Sequence, residues 1–249
     1  MDLQETSKAL ESHNIYTSGD YLQNTQTWHV EDSSWKANQI AEMLLKNHLI
    51  PASVIEIGCG AGRILCELSK KDFLFGTQFS GYDISPQAIS IAQQLETKIE
   101  GKKTEFYCED LLSPCNSAYS NLLMAIDVFE HVPDYMGFLE GCKFKADYKL
   151  YHVPLDMSVS SLLRNSFLAH RYTIGHIHYF TADSAIAVLK DTGHEIVDYC
   201  YTPGAFGMFT QHPSIKKAIA NVPRWLLQQV NLPLTVKLLG GYSLLVLAK

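Results

Sequence analysis

The stretch Val54-Ile55-Glu56-Ile57-Gly58-Cys59-Gly60-Ala61-Gly62-Arg63 decides how the rest of the chain is read. An apolar run gives way to three glycines at alternate positions, and an apolar stripe at helical spacing (Ile64, Leu65, Leu68) follows. The pattern is that of a strand, a tight turn and the start of a helix. Glycine permits the tight turn and lets a ligand reach the backbone without a Cβ in the way. The helix beyond presents free N–H groups. A turn that cradles a pyrophosphate is spaced G-x-G-x-x-G. Here the spacing is G-x-G-x-G, and Glu56 stands just upstream of the first glycine. That acid repels a pyrophosphate and suits a ligand carrying an ammonium group.

Outward from this turn, strands and helices alternate. Upstream, Ile40, Met43 and Leu44 predict a helix over Trp35–Leu49, ended by Pro51, before the strand Ser53–Ile57. Downstream come a helix over Ala61–Ser69 and a strand over Phe79–Asp83. Ser85 and Pro86 then read as an N-cap and a first helical residue, and Ala88, Ile91, Ala92 and Leu95 form the stripe that follows. Strands are predicted over Thr104–Cys108, Asn121–Ile126 and Lys149–Val153, with a helix over about Tyr135–Cys142. A helix over Thr181–Asp191, closed by Gly193, leads to late strands over Glu195–Tyr201 and Tyr242–Ala248, with a helix around Arg224–Val230 between them. Strand–helix alternation with short turns predicts a Rossmann-like, doubly wound, mostly parallel sheet of seven strands with helices on both faces. The late pair predicts an antiparallel edge. The whole, 1–249, reads as a single domain, with a lid-like segment over 1–34 and an insertion or flap over 203–241.

Composition narrows the partners. A net charge of −6 and no Lys/Arg run longer than a pair make nucleic acid a poor partner. The polar, mixed-charge first residues lack the layout of a secretory leader, and no apolar run is long enough to span a bilayer. Stable membrane insertion is therefore not expected. Six cysteines without paired spacing predict reduced thiols and a cytoplasmic protein.

Three more acids lie where the strands end. Asp83 and Ile84 close the second strand, Asp110 and Leu111 follow the third, and Asp127-Val128-Phe129-Glu130-His131-Val132-Pro133-Asp134 follows the fourth. S-adenosylmethionine offers an amino group, a vicinal diol and an adenine to such a set. Taken with the glycine turn, the motifs resemble those of the class I S-adenosylmethionine-dependent methyltransferases, in the branch that methylates small molecules. The resemblance covers about residues 35–201 and implies the following roles. Glu56, Gly58, Cys59, Gly60 and Gly62 form the cofactor turn, Asp83 takes the ribose hydroxyls, and Ile84 packs on adenine. Asp110, with Leu111, accepts from the adenine amino group, and Asp127 completes the set. S-adenosylhomocysteine is the product implied. Trp28 belongs to a segment similar to the N-terminal lids of such enzymes, where a ring can face a sulfonium.

The acceptor side is less defined. The run after the fourth strand lacks the Asn/Asp-Pro-Pro-aromatic motif of adenine or glutamine amino-methylating enzymes, and Pro114-Cys115 precedes that strand rather than following it. O- or N-methylation of a small molecule is the expected reaction. For a hydroxyl acceptor a base is needed, and His176, His178 and His131 are the candidates, in that order. His176 and His178 alternate and would share one side of a strand. No cysteine or carboxylate completes a metal site with them at a usual spacing, so no metal is assigned. His152 reads as a core histidine. A nucleotide-dependent oxidoreductase on the same fold and a non-catalytic cofactor-binding subunit are the competing readings.

Overall fold

The computed structural model describes residues 32–96, 104–204 and 215–249. Trp28 and nearly all of the lid-like segment lie outside them, as does 205–214 of the expected flap. The elements are α1 (Ser33–Lys46), β1 (Ser53–Ile57), α2 (Arg63–Ser69), β2 (Gln78–Tyr82), α3 (Pro86–Glu96), β3 (Thr104–Tyr107), β4 (Ser120–Ile126) and α4 (Tyr135–Lys143). They continue with β5 (Ala146–Pro154), α5 (Val159–Leu163), α6 (Ser166–Thr173), α7 (Ala182–Asp191), β6 (Ile196–Pro203), α8 (Ile215–Val230), α9 (Leu232–Leu239) and β7 (Tyr242–Ala248). The strands form one sheet in the order β3-β2-β1-β4-β5-β7-β6. The β1–β2, β1–β4 and β2–β3 pairs are parallel and β6–β7 is antiparallel. The predicted mostly parallel sheet with an antiparallel edge is therefore present. Among the described residues no helix is long and apolar enough to cross a membrane.

The chain resolves into two compact units, 1–126 with 144–149, and 127–143 with 150–249. In the first unit, Leu122, Leu123, Met124 and Ala125 of β4 are fully buried, as an unbroken apolar run requires of a strand covered on both faces. Ala37, Ile40, Met43 and Leu44 form the buried stripe of α1. This helix stops before Pro51, at Lys46. His48, at a φ of 53°, donates to Leu45 O, and Leu49 donates to Leu44 O. That pair of bonds is a Schellman stop, with histidine where glycine is usual. In α3, Ser85 and Pro86 hold the predicted capping places, Ser85 Oγ accepting from the Ala88 N–H.

In the second unit, Leu244 to Ala248 of β7 are fully buried. Thr181 and Ser184 form a reciprocal capping box at the start of α7. Gly193, at a φ of 83°, ends that helix as its sequence predicts. Four helices differ from the sequence reading. α5 and α6 fill the segment after β5, separated by Asn165 in the left-handed region at a φ of 50°. The expected helix around Arg224–Val230 begins earlier and runs through Pro223. A further helix, α9, opens with Asn231 capping the Leu234 N–H.

Candidate functional site

The glycine turn in the first unit is held by the end of β2. The N–H groups of Gly58 and Cys59 both donate to Tyr82 O, at 2.8 and 3.1 Å. Gly58, Gly60 and Gly62 have φ values of 69°, 51° and 70°, which side-chain-bearing residues rarely adopt. Asp83 braces the turn from outside. Its Oδ2 accepts from the Gly60 N–H at 2.9 Å and its Oδ1 from the Ser85 N–H at 2.8 Å. Each oxygen keeps acceptor capacity beyond that one bond. Burial raises the Asp83 carboxyl above its ordinary range, with the backbone donors of Ser85, Gly60 and Ile84 opposing the rise.

Gly62 meets a second constraint besides its φ. A Cβ on Gly62 would stand 2.3 Å from the Phe106 ring, so this glycine lets α2 approach β3. Its need is internal packing and not ligand contact alone. Cys59 is buried, and burial pushes its thiol well above the usual range, which makes it a poor nucleophile.

Glu56 is the strongest electrostatic feature of this unit. It is 2 % exposed, and its Oε2 has no hydrogen-bond partner among the described residues. Burial pushes its carboxyl up to about 8, with Lys36 opposing and Asp83 adding to the rise. A buried carboxyl oxygen without a donor is an unmet demand. The ammonium group of S-adenosylmethionine would meet it, so the residues present fit that cofactor. Ile84 is half exposed and available to pack on a flat ring. Asp110 is exposed, its Oδ1 accepting from the Leu112 N–H at 2.9 Å. Leu111, expected beside the adenine, is fully buried, so its part is to pack under the turn and not to face a ligand.

Asp127 belongs to the second unit and takes a φ of 54° directly after β4. Its N–H donates to His152 O at 3.0 Å, and its Oδ1 lies 2.6 Å from His152 Nδ1. His152 is buried as expected, and its Nε2 lies 2.8 Å from Thr202 Oγ1.

The three candidate bases come together around a short 3₁₀ turn, Phe129–His131. The expectation that His176 and His178 share a strand face is corrected by the structure, since 174–181 is irregular. Its backbone is bound to that turn instead of to a neighbouring strand: the Ile177 and His178 N–H groups donate to Glu130 O at 3.0 and 3.1 Å. The two rings therefore part. His176 is buried, 2.5 Å from Asp156 Oδ2 through Nδ1 and 4.9 Å, ring to ring, from His131. His178 stacks edgewise on Tyr135, and its Nε2 donates to Val132 O at 3.0 Å. His131 Nδ1 lies 2.9 Å from Gly175 O.

Sequence reading missed the acids of this cluster. Glu130 and His131 are adjacent, and their ionisable atoms lie 3.9 Å apart. Asp156 also stands 3.2 Å from His170 Nδ1. Among the described residues, two groups have potential ligand atoms within 4.8 Å of one another: Glu130, His131 and His176, and Asp156, His170 and His176. The acid next to His131 was a visible signal. Asp156 and His170 gave none, because the fold and not the spacing brings them to His176.

Strand order, glycine turn and terminal acids together define the class I S-adenosylmethionine-dependent methyltransferases. The chain belongs to the methyltransferase-domain family, whose model matches residues 32–199. A ubiquinone biosynthesis O-methyltransferase of Paraburkholderia phytofirmans is 31% identical over 98 residues, 39% of this chain and 40% of that protein. One from Haemophilus ducreyi is 28% identical over 102 residues, 39% of this chain and 42% of that protein. The matches thus span less than half the length of these relatives. Among solved structures, magnesium protoporphyrin IX methyltransferase from Synechocystis PCC 6803 with bound SAH superposes with a TM-score of 0.62 at 15% identity, covering 97% of this chain and 98% of that one. The plantazolicin methyltransferase BpumL gives 0.52 at 19% identity, covering 98% and 97%. At these identities the structural likeness speaks for the fold.

Proposed function

We propose that the protein transfers a methyl group from S-adenosylmethionine to a hydroxyl or amine of a small molecule. The observation that carries this reading is the turn Gly58–Gly62, braced by Asp83 and backed by the buried, donor-seeking Glu56. When bound, the cofactor supplies a methyl group on a positively charged sulfur, already a good leaving group. The acceptor's lone pair forms the new bond to carbon while the carbon–sulfur pair returns to sulfur. The chain's own part is binding, orientation and exclusion of water. Glu56 receives the ammonium, Asp83 the ribose hydroxyls, and Ile84 and Asp110 the adenine. For a hydroxyl acceptor, loss of the proton is served by the His176, His178 and His131 cluster. The O-methyltransferase names of the partial relatives favour an O-methyl product. The six free cysteines suit a cytoplasmic, reducing location.

Isothermal titration with S-adenosylhomocysteine tests the reading. Stoichiometric binding is expected. Neither heat nor a thermal shift at millimolar ligand would overturn it.

A further inference from the structure

The structure stitches two distant stretches of the second unit together. Glu130 O accepts two N–H groups from Ile177 and His178, Gly175 O faces His131 Nδ1, and Val132 O faces His178 Nε2. This brings a carboxylate oxygen of Glu130 and a ring nitrogen each of His131 and His176 within 4.8 Å of one another. Glu130 and His176 are buried.

The hydrogen bonds set the tautomer of each neutral ring. A carbonyl only accepts, so His131 Nδ1 carries a proton toward Gly175 O, and in the neutral ring Nε2 holds the lone pair. Asp156 Oδ2, 2.5 Å from His176 Nδ1, does the same for the second ring. Metal-ligating histidines show this pattern: one nitrogen donates to a carbonyl or carboxylate, which orients the ring and raises the basicity of the other. A plain ion pair between Glu130 and His131 explains one contact. It does not account for the second ring, His176, or for the partner that each ring keeps on Nδ1.

The competing set, Asp156, His170 and His176, fails on distance. Ligand atoms about 2.0–2.1 Å from one ion stand about 2.9 Å or more apart at right angles or wider. The 2.5 Å between His176 Nδ1 and Asp156 Oδ2 is a hydrogen bond, not an edge of a coordination shell. Asp156 therefore orients His176, and His170 contacts the same carboxylate at 3.2 Å.

We propose that Glu130, His131 and His176 bind a divalent transition-metal cation such as zinc, manganese or cobalt. Two imidazoles and one carboxylate suit such ions, and three protein ligands leave positions open for a substrate. The use of the cation rests on the methyl-transfer reading. A cation there would hold an acceptor hydroxyl and ease the loss of its proton to water. His131 and His176 then act by holding the cation, not by taking the proton.

The test uses the full chain, dialysed against a chelator and titrated with Co²⁺ alone. The expected result is one Co²⁺ per chain, with d–d absorption and no thiolate charge-transfer band. Glu130→Gln and His176→Asn should abolish that spectrum. Asp156→Asn, which touches no metal, should weaken binding about 10–100-fold. His170→Asn, and joint replacement of the exposed Cys108 and Cys115 by serine, should leave it at the parental level. Absence of a stoichiometric Co²⁺ spectrum in the parent protein overturns the proposal, and so does a spectrum dominated by thiolate. This readout needs no variant to fold. Parental affinity in Glu130→Gln also overturns it. S-adenosylhomocysteine binding, measured separately on the chelated protein, separates the two readings. If it persists without Co²⁺ binding, only the cation site falls; if it is absent, the methyl-transfer reading falls whatever cobalt does.

Discussion

The Nδ1 of His152 lies 2.6 Å from Oδ1 of Asp127, while its Nε2 lies 2.8 Å from Thr202 Oγ1. One buried ring thus ties the residue after β4 to the outer strand β6. Both nitrogens are engaged, so the ring is fixed in rotation as well as position. His152→Phe keeps an aromatic ring, somewhat larger, and removes both bonds. Stability should fall by about 1–3 kcal/mol, the cost of unmet buried polar groups, with a smaller loss for Thr202→Val. Denaturant unfolding measures both. An unchanged midpoint in His152→Phe would show that the ring acts only as filler.

Asp83→Ala removes the acceptor for the Gly60 N–H together with the assigned ribose contact. Cofactor affinity should weaken by about 1.5–3 kcal/mol, the range for hydrogen bonds to a charged group. Calorimetry with S-adenosylhomocysteine reads this directly. Parental affinity would remove Asp83 from the binding site.

Glu56 predicts a pH dependence of stability. Its carboxyl is raised from 4.5 to about 8 in the folded chain, so the folded state holds a proton that the unfolded state has lost between those values. The contribution of Glu56 is full below about pH 4.5 and declines as pH rises to about 8. Glu56→Gln cannot lose that proton. Its melting temperature relative to the parent should therefore improve steadily from pH 5 to pH 8, on the order of degrees. A parallel pH profile for the two proteins would refute the assignment. Bound cofactor should reverse the trend in the parent, because the ammonium favours the ionised carboxyl.

Gly62 is predicted to be intolerant of a single methyl group. Its φ of 70° and the Phe106 ring 2.3 Å from a built Cβ add backbone strain to overlap. Gly62→Ala should cost about 2–4 kcal/mol. Adding Phe106→Leu should recover the steric part and leave the strain. Independent, additive losses in the double variant would show that the two residues do not interact.

What could be read from sequence followed from how local the determinants are. β1 and β7 match their expected bounds residue for residue, because each is a short apolar run with a glycine directly at one end. The α7 cap and stop were legible for the same reason, being set by Thr181 and Gly193 within one turn of chain. α5, α6 and α9 were not. α5 and α6 are short and leave Leu162, Leu163, Leu168 and Tyr172 exposed, so no buried stripe marks them. At the candidate site, the glycines were visible because one turn holds them, and Asp83 because it directly follows strand β2. The alignment of Asp156 with His176 depends on pairing across the fold, which spacing does not encode.

β7 lies between β5 and β6 in the sheet although it follows both in the chain. During synthesis, β6 emerges before the strand that will separate it from β5, and segment 204–241 must pass before Tyr242 appears. In that interval β6 is an outermost strand without its neighbour, bearing exposed Val197 and Tyr199. Its open edge can then pair with itself on another nascent chain or be held by a chaperone. Arrest of translation before Tyr242 should therefore yield a species that self-associates through β6, and the insertion of β7 is the event that releases a monodisperse product.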